Sequence, residues 1–316
     1  MEKKKLWKAV RKGNLSEVTR ILDSNRELIG DKNQYGCIIL HVAAGNGDVE
    51  MVGKLVSLDR KCIDVQNKDW RTPLCIAALH GHSSVIEVLV RLGSKAVDTA
   101  DIYGNTPLYN AARYGHASTI ETLVRLGSNA IDTPVHTGFT PLCAAAYYGH
   151  LLSIEALVRL GSKVIDTPNK QSGCTPMHSA AFQGKDKTIQ MLILLGSQSA
   201  DSVDRELRTP LFVAVQWGNK NVVETLIQLG NQDIDVKHPK YGSLLRAALE
   251  SSRFGVSMDL MALGADRSDV DVNYLSKASA KLLTTEVDED HASEVRYRVY
   301  FMRSLVSRLL FHLEHR

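Results

Sequence analysis

Apolar positions in this chain fall into pairs of short helical runs that recur at a fixed step. In one copy, Leu108, Ala111 and Ala112 share a helix face, and Gly115 closes the run. A second run follows over Ser118–Leu126, with Ile120, Leu123 and Val124 at helical spacing and Gly127 at its end. Apolar residues at i, i+3 and i+4 predict two amphipathic helices per copy, and the polar, turn-rich stretch between copies predicts an extended finger. Thr72-Pro73-Leu74, Thr106-Pro107-Leu108, Thr140-Pro141-Leu142, Thr175-Pro176-Met177 and Thr209-Pro210-Leu211 open five copies, at steps of 34, 34, 35 and 34 residues. Weaker copies begin at Ile38 and Ser243, each one further step of 34 residues out. A constant period of this length marks a repeat array.

Each part of the copy has a physical role. Thr106 accepts a backbone N–H bond at the helix start, and Pro107 suits the first turn, where its missing N–H costs nothing. The small Ala111 and Ala112 let the next helix approach. Glycine ends the first helix at Gly13, Gly47, Gly81, Gly115, Gly149, Gly184 and Gly218, and the second at positions such as Gly93, Gly127 and Gly161.

On these motifs the chain resembles the ankyrin repeat, whose first helix carries Thr-Pro-Leu-His-x-Ala. The resemblance covers about residues 1–266 and implies an all-α ankyrin-repeat solenoid of about eight repeats, with helix-turn-helix units and β-hairpin fingers. The family's histidine stands at His178 and His41, but Cys75, Tyr109, Cys143 and Phe212 replace it elsewhere. The finger glycine is present at Gly36, Gly104, Gly138 and Gly173. Trp70, Leu207 and Tyr241 replace it in three fingers, where a different bend is expected.

The expected organisation is an N-terminal capping repeat over residues 1–34, ankyrin repeats over 35–266 and a C-terminal helical extension over 267–316. Lys3-Lys4-Lys5 reads as the solvated face of the N-terminal cap. In the extension an acidic stretch, Glu286–Asp290, precedes Val295, Val299, Met302, Val306, Leu309 and Leu313. Their alternating steps of four and three residues predict a helix with one apolar seam. It is expected to cap the repeat around residues 243–263. A dimerising or partner-binding helix is the alternative, as is a membrane-surface helix using Arg296, Arg298, Arg303 and Arg308.

The net charge of +3 is too small to argue for a nucleic-acid partner. No apolar run follows the basic N-terminus, so neither a secretory signal nor a membrane span is expected. The five cysteines are scattered and lack a Cys-x-x-Cys, which suggests reduced, buried thiols in a cytosol-like compartment. His82, His116 and His150 occupy equivalent positions in consecutive copies. Packed helices lie roughly 8–10 Å apart, whereas zinc–nitrogen bonds are about 2 Å, so a shared metal is not expected. No nucleophile signature, phosphate loop or His-Glu-x-x-His is present. No catalytic residue, cofactor or metal is therefore assigned.

The resemblance implies binding of a protein partner on a concave face lined by the fingers and the exposed end of each first helix. The residues after each Ala-Ala pair include Leu79 and His80, Arg113 and Tyr114, Tyr147 and Tyr148, Phe182, and Trp217. Finger positions add Trp70, Tyr103, Phe139 and Arg208. Eight of these positions are aromatic in a chain with only 6% aromatic residues, and Tyr, Trp and Arg dominate binding hot spots. The candidate site is Trp70, Tyr103, Arg113, Tyr114, Phe139, Tyr147, Tyr148, Phe182, Arg208 and Trp217; Phe182 and Tyr147 equally suit packing between repeats. The Val-Arg-Leu-Gly-Ser-x-x-x-Asp-Thr unit, nearly self-copied at Val90–Thr99, Val124–Thr133 and Val158–Thr167, looks similar to ankyrin proteins of intracellular bacteria that act as effectors in host cells. The expected protein is a non-enzymatic, monomeric interaction module, cytoplasmic or secreted into host cytoplasm, with a protein partner that is a host protein in the second case. A substrate-recruiting or membrane-attached adaptor, acting through its terminal helix, is the alternative.

Overall fold

The structure, a computed structural model, describes residues 2–230, 233–266 and 268–270. The seam from Val295 to Leu313, with the capping role expected of it, lies outside the described residues. Two compact units divide the chain, Met1–Ser179 and Ala180–Arg316.

In the first unit the helices come in pairs: α1 (Glu2–Arg11) with α2 (Leu15–Ser24), α3 (Ile39–Gly45) with α4 (Val49–Leu58), α5 (Pro73–Leu79) with α6 (Ser83–Arg91), α7 (Pro107–Arg113) with α8 (Ala117–Arg125), and α9 (Pro141–Tyr148) with α10 (Leu151–Arg159). The first helices α1, α3, α5, α7 and α9 pack on one another in chain order, and so do the second helices from α4 to α10. The core lies between these layers, where Leu108, Ala111, Ala112, Ile120 and Leu123 are fully buried. Each buried Leu or Ile contributes about 1.5–3 kcal/mol. The unit boundary falls inside α11 (Pro176–Phe182). The second unit continues with α12 (Asp186–Leu194), α13 (Pro210–Trp217), α14 (Lys220–Leu229), α15 (Leu244–Glu250) and α16 (Phe254–Ala262), in which α13 packs on α15 and α14 on both α12 and α16.

The helix starts follow the sequence reading. The hydroxyls of Thr72, Thr106, Thr140, Thr209 and Ser243 accept the backbone N–H three residues on, and proline opens α5, α7, α9 and α13.

Three sets of bonds stitch successive repeats. The Nε2 atoms of His82, His116 and His150 lie 3.0–3.1 Å from the carbonyls of Gly45, Leu79 and Arg113 in the preceding repeat. These histidines are thus an inter-repeat clamp. Among the described residues no group of three His, Cys, Asp or Glu side chains could hold a metal. The second set gives the self-copied Gly-Ser-x-x-x-Asp unit its physical role. Ser94 donates to Asp64, Ser128 to Asp98, and Ser162 to Asp132 at 2.6 Å. Asp98 and Asp132 therefore receive a hydroxyl from the repeat that follows their own. The third set runs through the fingers, where Lys68, Ile102 and His136 donate backbone N–H bonds to the carbonyls of Tyr35, Asp69 and Tyr103.

The fingers are narrower than the expected hairpins. Among the described residues only β1 (Lys237–His238) and β2 (Gly242–Ser243) pair as strands. Four others are tight turns closed by a side chain: Asn33, Asn67, Asp101 and Asp204 each accept two backbone N–H bonds with one carbonyl or carboxylate oxygen, whereas the turn at Val135 is closed by backbone bonds to Phe139 and from Gly138. The missing finger glycines do not change the bend in two of the three cases. Trp70 and Leu207 adopt φ of 61° and 63°, in the left-handed region of the glycines they replace. Tyr241 is a correction, because the neighbouring Gly242 takes that conformation at φ 72°. Ser252, in place of a helix-ending glycine, sits at φ 59°. A left-handed L-residue costs about 1–2 kcal/mol, of which glycine's extra chain entropy returns about 0.5–1 kcal/mol. Ser252→Gly should therefore stabilise the second unit by roughly 0.5–1 kcal/mol. An unchanged or lower melting temperature for that unit would contradict this strain.

Candidate protein-binding surface

The exposed ends of the first helices and the fingers build one surface in each unit. In the first unit five candidate residues form a connected chain of contacts. Phe139 meets Tyr147 edge-on at 6.4 Å between ring centroids, and Tyr147 meets Tyr148 edge-on at 5.0 Å. The Arg113 guanidinium then stands 5.7 Å from the ring centres of both Tyr148 and Tyr114. Cations at this range from ring faces are attracted by the ring quadrupole. Arg113 and Tyr114 end α7, and Tyr147 and Tyr148 end α9, so equivalent places in consecutive repeats bring them together.

The clamp histidines support these rings. Tyr148 stacks on His150 at 6.1 Å, and His80 stacks on His82 at 6.2 Å. Because His150 is held by the Arg113 carbonyl, one bond joins the two repeats beneath Arg113 and Tyr148.

Exposure sorts the candidates. Tyr114 and Tyr148 are 46% and 42% exposed, and the fingertip residues Trp70 and Tyr103 are 59% and 56% exposed. Phe139 is half-buried against Tyr109, Val135 and Ala144, so part of its area belongs to the core. Tyr147 is likewise half-buried, between Phe139 and Tyr148. Burial pushes the Tyr109 phenol up to about 12 and the Cys62 and Cys75 thiols up to about 12, which keeps all three protonated and unreactive at neutral pH. The same cause raises the Cys143 thiol.

In the second unit the Phe182 and Trp217 rings meet at a tilt of 56°, 4.4 Å between centroids, with Trp217 on the outside. Arg208 differs in kind from Arg113. It donates from Nε at 2.9 Å and Nη2 at 2.8 Å to buried Asp204, and from Nη1 to Gln216, so its guanidinium braces its own finger.

One exposed aromatic escaped the sequence reading. Tyr35, two repeats before Tyr103 at the equivalent fingertip, is 63% exposed. Its finger was already marked by Gly36, and counting back by 68 residues from Tyr103 would have found it.

The family model for ankyrin repeats matches the chain in three copies, over residues 6–100, 92–167 and 163–238. The chain belongs to the ankyrin-repeat family. No curated protein matches it. Ankyrin repeats generally mediate protein–protein interaction and are typically non-catalytic. Among the described residues of this ankyrin-repeat protein, no helix is long and apolar enough to cross a membrane.

Proposed function

We propose that this ankyrin-repeat protein is a non-catalytic module that holds a protein partner on the first-helix and finger face of its first unit. The contact chain from Phe139 through Tyr147, Tyr148 and Arg113 to Tyr114 carries this reading. It sets large, rigid, half-exposed rings side by side, and such rings supply contact area at low entropy cost. Trp70 and Tyr103 extend the same face at the fingertips. Phe182 and Trp217 are the corresponding surface of the second unit, and Arg208 positions that unit's finger.

An aromatic anchor truncated to alanine typically costs about 2 kcal/mol or more, roughly a thirtyfold loss of affinity. Tyr114→Ala and Tyr148→Ala should each do so towards a partner captured from lysate and then purified. Arg125→Ala and Arg159→Ala should cost well under about 1 kcal/mol. Those arginines sit on the opposite, second-helix face, paired with Glu87 and Glu121. If the arginine changes weaken binding more than the tyrosine changes, in variants of unaltered melting temperature, the binding face is the second-helix one.

The finer reading is that the partner is a host protein and the chain an effector of an intracellular bacterium. The self-copied Gly-Ser-x-x-x-Asp units support it by similarity alone. Capture of the same partner from host lysate, and not from a lysate of the source cells, is the result that would bear this out.

A further inference from the structure

The second helices of the first unit carry both signs of charge, with Arg20, Lys54, Arg91, Arg125 and Arg159 beside their acids. Every second helix from α2 to α10 carries a glutamate: Glu17, Glu50, Glu87, Glu121 and Glu155. Three of them are ion-paired, to Arg20, Arg125 and Arg159. The two rows at the ends of the first helices carry no such mixture. One row reads Arg11, Gly45, Leu79, Arg113 and Tyr147; the other reads Lys12, Asn46, His80, Tyr114 and Tyr148. None of these positions is acidic, and Arg11, Lys12 and Arg113 make no ion pair with any described carboxylate. The finger acids beside them are already engaged: Asp31 by Lys3, and Asp69 and Asp101 by Arg71. Asp69 and Asp101 share the single Arg71, which leaves one negative charge in the fingers against the three positive charges of Arg11, Lys12 and Arg113 on this face.

Arg113 is its centre. The guanidinium is half-buried, flanked by the Tyr114 and Tyr148 rings at 5.7 Å each, and lacks a carboxylate. A planar fork fixed between two rings offers its remaining N–H groups to a carboxylate with little further ordering. We infer that the partner of this face is an acidic protein segment, whose Asp or Glu side chain pairs with Arg113 between Tyr114 and Tyr148 while its neighbouring apolar residues lie on the rings. This rests on the proposed binding face and adds the partner's chemistry. Arg11 and Lys12, at the near end of the same two rows, add long-range attraction for the same segment.

A phage-displayed library of random 12-residue peptides, selected on the full chain, tests it. Enriched peptides should be rich in Asp or Glu beside aromatic or aliphatic residues. One such peptide, made synthetically with a fluorescent label, should lose about tenfold or more in affinity to Arg113→Gln, in line with the loss of a charge-assisted hydrogen bond. Arg113→Lys should recover only part of that loss, because the fork and its stacking are gone. The double variant Arg11→Gln, Lys12→Gln lies on exposed helix surface and leaves the Arg113 setting intact. It should slow association and weaken the salt dependence. Arg125→Gln should change nothing.

Enrichment of neutral or basic peptides that still require Tyr114 and Tyr148 would overturn the acidic partner and leave the binding face standing. Acidic peptides indifferent to Tyr114→Ala and Tyr148→Ala would overturn the binding face itself. The inference also fails if no peptide is enriched over an unrelated protein. It fails equally if a single-stranded oligonucleotide or phosphatidylserine vesicles bind through Arg113 in place of any acidic peptide.

Discussion

Gly115→Ala should destabilise the first unit by about 2–4 kcal/mol, from left-handed strain of about 1–2 kcal/mol and the displacement of a bonded ring. Gly115 has φ 81°, and a Cβ there would lie 2.7 Å from Nδ1 of His150. The ring has little freedom to retreat, because its Nε2 is bonded to the Arg113 carbonyl at 3.0 Å. Gly127→Ala is the matched control. Its φ is 93°, equally left-handed, but a Cβ there meets nothing within 4 Å. The difference between the two unfolding free energies isolates the ring contact from backbone strain. Adding His150→Ala to Gly115→Ala should return part of the loss, giving a coupling energy between the two positions. Equal costs for the two glycines, or no coupling to His150, would show that the clamp histidine does not set the spacing of the repeats.

That contact shows why much of the fold could be read from sequence and much of the site could not. The Thr-Pro helix starts and the glycine stops are local: each places its effect within four residues of itself, so a single copy suffices to read it, and the period follows from lining the copies up. His150 is different. Its equivalence to His82 and His116 was plain in the sequence, but its partner, the Arg113 carbonyl, lies 37 residues away. The Ser-Asp clips are similar. Ser128 and Asp98 are 30 residues apart, in two copies of one motif, and only stacking brings them together.

The candidate site divides along the same line. Arg113 and Arg208 were chosen for residue type and position. Arg208 is spent on Asp204, four residues before it in the same finger, a spacing that could have signalled the bond. Arg113 has only rings beside it, and those come from its own repeat and the next. Phe139 was selected as a fingertip aromatic, yet its neighbours Val135 and Ala144 draw it half into the core. Trp70 looked like a lost glycine. The finger keeps its bend around it because Asn67 accepts the N–H groups of Asp69 and Arg71, and those two bonds define the turn whichever residue occupies the strained position.

Lowering the pH from 7 to 4.5 should cost about 2–3 kcal/mol of stability through His41 alone, at about 1.36 kcal/mol for each unit of pKa difference. Nδ1 of His41 accepts the Ile38 N–H at 3.2 Å, so the proton of the neutral ring is on Nε2, which donates to the Arg71 carbonyl at 2.9 Å. Burial pushes this imidazole down from 6.5 to about 4, opposed by its bond to the Arg71 carbonyl and assisted by the charge of Lys32. A proton arriving at Nδ1 would also face the Ile38 N–H and break that cap. Above pH 6.5 both the folded and the unfolded chain hold the ring neutral, and the contribution is complete. Between 6.5 and about 4 the unfolded chain takes up the proton and the folded one does not, so stability falls as the pH falls. Below about 4 both are protonated and the loss stops growing. Because acidic carboxylates titrate in the same range, the measurement is a difference: urea unfolding of the wild type and of His41→Gln at pH 7 and at pH 4.5. The variant keeps a donor and an acceptor but nothing that titrates. It should be less stable than the wild type at pH 7 and lose about 2–3 kcal/mol less on acidification. An identical acid loss in both proteins would mean that His41 takes up its proton at the same pH in the folded and the unfolded chain, so that burial does not hold the ring neutral.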